Sequence, residues 1–107
     1  MIKIKQGNTF SLDVVVTENK VPIDITLWNI RSQLRKSGVL TDELLVSRVN
    51  DASGHYKLTE SEHGVTTSWE VGTHDCDIEY YIGDEILSTE TFIIEVQESV
   101  TRDEPVV

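Results

Sequence analysis

The sequence predicts an all-β domain, an antiparallel sandwich of about seven strands with one short helical turn. Three observations predict it. Apolar residues recur at every second position in several separate stretches, the period of a half-buried strand. Val, Ile, Thr and aromatic residues are concentrated in those stretches, where branched and flat side chains pack well on a pleated surface. Turn signals built on Gly, Asn, Asp and Pro separate them at intervals of roughly eight to twelve residues, a sandwich spacing.

Ile2 to Gln6 reads Ile-Lys-Ile-Lys-Gln, one apolar face and one basic, until Gly7-Asn8 breaks or bends the strand. Thr9 to Thr17 places Phe10, Leu12, Val14 and Val16 on one side. Glu18-Asn19-Lys20 is a polar turn, and Val21 to Asp24 resumes an extended course in which Pro22, with no N–H to donate, marks an edge or a connection. Trp28 to Lys36 is a strand with Trp28, Ile30, Ser32 and Leu34 on one side, ended by Ser37-Gly38. Thr41-Asp42-Glu43 could start a helix over Leu40 to Val46, but seven residues make a marginal helix. Val46 to Asn50 reads better as a strand, and Asn50-Asp51-Ala52-Ser53-Gly54 turns it into a hairpin with His55 to Thr59. Thr59-Glu60-Ser61-Glu62 has the form of a helix capping box, with Gly64 and Thr66-Thr67 limiting any helix there to about one turn. After a turn at Trp69 to Gly72, Asp75 to Ile82 alternates again, with Cys76, Ile78, Tyr80 and Ile82 on one face. Gly83-Asp84 reverses the chain, and Glu85 to Gln97 is expected as the last and longest strand. The domain is expected to occupy residues 1–99, with 100–107 a loose, flexible tail.

Length and charge narrow the function. A chain of 107 residues fits one domain. No apolar run approaches the roughly 20 residues that span a bilayer, and the alternating N-terminus lacks the unbroken apolar stretch of a signal peptide. Nineteen acids against nine Lys and Arg give a net charge of -10, which repels nucleic acid and anionic lipid, so neither is expected as a partner. Cys76 is the only cysteine, so packing and not a disulfide must hold the sheets together.

Chemistry-bearing residues are present without chemistry-bearing spacing. His55, His63, His74 and Cys76 are the metal-ligand candidates, and His74 and Cys76 share a strand face. A zinc site needs three or four converging ligands, and the chain has no Cys-x-x-Cys or His-x-x-x-His. Cys76 continues the apolar face of Ile78 and Tyr80, and its neighbours Asp75 and Asp77 disfavour a thiolate, so it reads as an inert core residue. Asp77 and Glu79 lie about 7 Å apart along one face, a separation glycosidases use. With nineteen acids such pairs arise by coincidence, and the plain reading is a solvated outer face. Asn50-Asp51 and Gly83-Asp84-Glu85 offer loop oxygens without the spacing of a calcium loop. No catalytic residue, metal or cofactor is therefore expected. Trp28 and Trp69 are the candidate interaction residues, with core filling as the competing role and at least one of them expected in the core.

The order of segments resembles a family of immunoglobulin-like domains in tailed phages and prophages, found in tail and baseplate proteins and similar to the N-terminal domain of baseplate upper proteins. The residues that carry it are Gln6-Gly7-Asn8-Thr9-Phe10, Pro22-Ile23-Asp24-Ile25-Thr26, Ile30 to Arg35, Gly54 to Leu58, Thr67 to Gly72, Asp77-Ile78-Glu79-Tyr80 and Thr91 to Arg102. Leu27 stands where members commonly have a glycine. The resemblance implies an immunoglobulin-like sandwich and a non-enzymatic module of a virion, assembled in the host cytoplasm. Its partners would be other phage structural proteins, and a homo-oligomer is a further expected form of assembly. A carbohydrate-binding sandwich, with Trp28 or Trp69 stacking on a host-surface glycan, is the competing function.

Overall fold

The computed structural model describes residues 1–89 and 91–99, and the tail expected at 100–107 lies outside them. Among the described residues ten strands follow one another: β1 (Ile2–Lys5), β2 (Ser11–Val15), β3 (Thr17–Glu18), β4 (Val21–Pro22), β5 (Asn29–Lys36), β6 (Val39–Asn50), β7 (His55–Thr59), β8 (Gly72–Ile82), β9 (Glu85–Ser88) and β10 (Phe92–Gln97). Single 3-10 turns lie at Asp51–Ser53 and Val65–Ser68. The all-β class is as the alternation requires.

The two expected layers are parts of one continuous sheet, in the order β1-β10-β8-β5-β6-β7-β2, with β9 paired to the far end of β8. The joint is β6. Its first part, Val39 to Leu44, pairs with β5, and its second, Leu45 to Asn50, pairs with β7. Bulges interrupt both ladders, between Leu34 and Arg35 and between Arg48 and Asn50, and bulges bend strands and tighten twist. The sheet therefore curls over its own inner face into a half-barrel. Period-two alternation supplies the lining. His74, Cys76, Ile78 and Tyr80 point inwards from β8, Ser32 and Leu34 from β5, and Tyr56 and Leu58 from β7. All ladders are antiparallel except β1 with β10, where Ile2 lies opposite Ile94.

Three expectations are corrected. Residues 39–50 form one strand of twelve residues, so β6 and not the last segment is the longest. Glu85 to Gln97 is broken in two. Between the pairs Ser88–Glu79 and Phe92–Cys76 this segment advances one residue more than β8 does. At the break, Thr89 donates its N–H to the Ile78 carbonyl at 2.9 Å and accepts the Ile78 N–H on its hydroxyl at 3.0 Å. The capping box at Thr59 does not form. Thr59 ends β7, and the Glu60 carboxylate accepts instead from the N–H groups of Phe10 and Gly64. Pairing of Thr59 with both Ser11 and Leu45 keeps it in the sheet, against a helix start worth about 1 kcal/mol.

The link from β4 to β5 shows why the Asp-x-Thr signal is there. Asp24 Oδ1 accepts both the N–H and the hydroxyl of Thr26, at 2.8 and 2.5 Å, closing a side-chain turn. Ile25, at its centre, is driven into the core with 0% exposure. Its N–H donates to the Asp51 carbonyl, and Arg48 Nη1 donates to its carbonyl, both at 2.9 Å. Arg48 Nη2 also reaches the Trp28 carbonyl, so one guanidinium fastens the whole connection to β6.

These turns make two outcomes testable. Gly54 has φ +68°, and a Cβ there would meet the carbonyl oxygens of Val16 and Ile23 at 2.7 Å. Gly54→Ala should cost about 2–4 kcal/mol, read as a lower urea midpoint at unchanged slope. The Thr26 hydroxyl, and after it the Thr26 N–H, hold the Asp24 carboxyl below its usual range. The stability this supplies is complete above the unfolded-state value of about 4 and is lost as pH falls through the lower folded value. The advantage of the native chain over Asp24→Ala should therefore shrink in acid unfolding below about pH 4, with Asp24 titrating low in a carboxyl NMR series.

Candidate functional site

The residues with obvious chemistry are engaged in structure. His74 is fully buried, with Nε2 donating to the Glu70 carbonyl at 2.7 Å and Nδ1 3.0 Å from the Thr41 hydroxyl. Cys76 is buried beside the Ser32 hydroxyl at 3.4 Å, and burial pushes its thiol up, away from the reactive thiolate. His55 Nε2 lies 3.0 Å from Asp13 Oδ1 on the outer face, and His63 is exposed in the loop after β7. No three His, Cys, Asp or Glu side chains among the described residues are grouped to hold a metal ion. Asp77 and Glu79 do share the outer face of β8, where Glu79 accepts the Tyr81 hydroxyl and stands opposite Arg31. Asn50 and Asp51 are occupied as well, Asn50 Oδ1 by the Ser53 N–H and Asp51 by Arg48.

The tryptophans separate. Trp69 has 0% exposure and packs its ring 5.6 Å from that of Phe10, so it offers no face to a ligand. Trp28 is half-buried against Tyr80, ring centroids 5.1 Å apart.

What the described surface does offer is a seam. β1 and β2 are neighbours in sequence, yet they form the two ends of the curled sheet and do not pair. A cleft of about 390 Å³ lies between them near the connecting turn, walled by Ile2–Lys5 on one side and Asn8–Leu12 on the other. A second, apolar cleft of about 350 Å³ continues it towards Met1, sharing Ile2 and Leu12 and floored by Ile78 and Phe92. The pair is a hairpin splayed open.

The turn between the strands is pinned from below, and that holds them apart. Gln6 donates its N–H to the Gln97 carbonyl at 2.9 Å and its side-chain amide to the Trp69 carbonyl at 2.8 Å. Thr66 donates its hydroxyl to the Asn8 carbonyl at 2.6 Å. Phe10 donates its N–H to Glu60 Oε1 at 2.9 Å, while Glu60 Oε2 accepts from Gly64 at 3.1 Å. Glu60 is 5% exposed, so a carboxylate taken out of water is satisfied by two main-chain donors. Asp42 does the same for the Ser61 N–H at 3.0 Å.

The ladders leave main-chain groups unpaired along both walls. Gln6 bonds Gln97, so in that parallel ladder the even residues of β1 face β10 and the N–H and C=O of Lys3 face the seam. On the other wall Val16 donates to Gly54, so Leu12 and Val14 bond β7 while the main-chain groups of Ser11, Asp13 and Val15 face the seam. The sequence reading missed this site because each strand looks ordinary alone. The signal was the short Gly-containing link between two alternating strands, which reads equally well as a closed hairpin.

Among solved structures, the chain is similar to the N-terminal domain of phage TP901-1 ORF48, at 19% identity with a TM-score of 0.63. The likeness covers 91% of this chain and 84% of that one. It shows a shared fold, and the resemblance to phage domains carried by the segment order is thereby met in a phage domain. No family model matches the chain, and no curated protein matches it.

Glu60→Ala should cost about 2–4 kcal/mol, because the Phe10 and Gly64 donors lose a charged acceptor. Hydrogen exchange should speed up at the Phe10 amide in the same variant, ahead of amides in β8.

Proposed function

We propose that this chain is a non-enzymatic docking module of a phage or prophage particle, a tail- or baseplate-associated component that binds other virion proteins. The observation that carries this reading is the fold held in common, over 91% of the chain, with a domain of a phage protein. The non-enzymatic part is supported by how the reactive side chains are used. His74 holds two structural hydrogen bonds, Cys76 is a core thiol beside Ser32, and the buried acids Asp42 and Glu60 serve main-chain donors. The docking part is supported by two unpaired sheet edges facing a cleft, the arrangement through which open sheets recruit extended segments. The module would join the virion during assembly in the host cytoplasm.

Particles purified from a host that expresses a tagged chain test the reading. The tag should co-sediment with tails, and the products of adjacent structural genes should bind the purified chain. A chain absent from particles that binds none of those products is not a virion component.

A further inference from the structure

The seam has the properties of a place for one more strand. A strand residue fills about 160 Å³, from a spacing of about 4.8 Å between strands, a rise of about 3.3 Å and a thickness of about 10 Å. Clefts of about 390 and 350 Å³, open to solvent beside the four residues of β1, are each larger than that. An inserted strand would find main-chain partners on both sides, at Lys3 on β1 and at Ser11, Asp13 and Val15 on β2. Its alternate side chains would face inwards onto Ile2, Leu12, Val14, Ile78 and Phe92, which accept apolar groups only.

The side chains pointing outwards meet charge. Lys3 and Lys5 project from the outer face of β1, both exposed, and neither is in an ion pair among the described residues. Glu95 stands beside Lys3 in the ladder at no bonding distance. On the opposite wall, Asp13 faces His55 Nε2 at 3.0 Å and lies across the ladder from Lys57, as Lys3 lies across from Glu95, and Ser11 and Val15 beside it carry no charge. In a chain of net charge -10, the wall at β1 is a basic strip.

We propose that the seam is a strand-acceptor site for an extended segment of a partner protein in which apolar side chains alternate with acidic ones. The proposal rests on the docking reading above, and it names the surface and the partner's chemistry. Insertion pairs both edges and closes the half-barrel. The apolar residues cover the lining, and the acids lie beside Lys3 and Lys5. Edge pairing supplies affinity, while alternation and charge supply selection.

A capped hexapeptide alternating Val and Glu is the probe, titrated to millimolar concentration into the full chain labelled with nitrogen-15. Amide shifts and slowed exchange should concentrate at Lys3, Lys5, Ser11, Asp13 and Val15. Replacing Glu by Lys in the peptide should weaken binding at least tenfold at low salt, and replacing alternate residues by Pro should abolish it. The double variant Lys3→Glu/Lys5→Glu should lose at least tenfold for the Glu peptide and gain for the Lys peptide. Seam amides that ignore the peptide, equal binding of the Glu and Lys peptides, or changes centred on β9 would each overturn the proposal. Failure of the virion reading is distinguishable. A chain absent from particles but shifted at the seam loses only its phage assignment, and a chain present in particles with a silent seam loses only the acceptor site.

Discussion

A strand twelve residues long that serves two different neighbours governs the shape of this protein. Because β6 gives Val39 to Leu44 to β5 and Leu45 to Asn50 to β7, the two halves of the sheet cannot separate into independent layers. They are bonded through a common backbone and must curl. The curl creates an inside, where Leu34, Leu44, Tyr56, Leu58, Trp69 and Ile94 meet. It also brings the two ends of the sheet, β1 and β2, to opposite lips of one opening. Core and seam are two results of the same bend.

The opening persists because polar groups hold its floor. Apolar burial alone would favour closure, since paired edges remove both main-chain groups and hydrocarbon from water. Against that, Glu60, Thr66 and Gln6 tie the turn between β1 and β2 to the loop after β7 and to β10, each through a main-chain partner distant in sequence. Phe10 then plugs the space beneath against Trp69. The geometry at the seam is thus fixed by residues that do not line its apolar part.

Much of the fold could be read from the chain. The alternation in residues 75–82 places Cys76, Ile78 and Tyr80 on the inner face, and Asn50 to Gly54 forms the expected hairpin turn. Local pattern carries that information, since a period of two survives in any sheet order. Three features depend on what lies across the sheet and were not legible. The break at Thr89 is set by register against Ile78, not by any residue that stops a strand. The fate of Glu60 is decided by Phe10, fifty positions away. The seam was hidden because sequence neighbours that alternate usually pair, and whether they do depends on where their other edges are bonded. Of the two candidate tryptophans, Trp69 is the one whose burial settles a question, and its surroundings come from loops that periodicity does not describe.

The parallel ladder between β1 and β10 has a consequence in time. Ile2 sits opposite Ile94, so roughly ninety residues of chain must be in place before the first strand has a bonded neighbour. Until then β1 is an unattached ribbon of Ile and Lys, and the wall that Ile2 and Ile4 provide does not exist. A sheet completed by so remote a pairing belongs to the non-local topologies, in which long loops must close before the contacts that reward them form. During that interval the other lip, at β2, is the only formed edge of the opening. The two-walled seam therefore exists only after β10 has been made and β1 has docked on it.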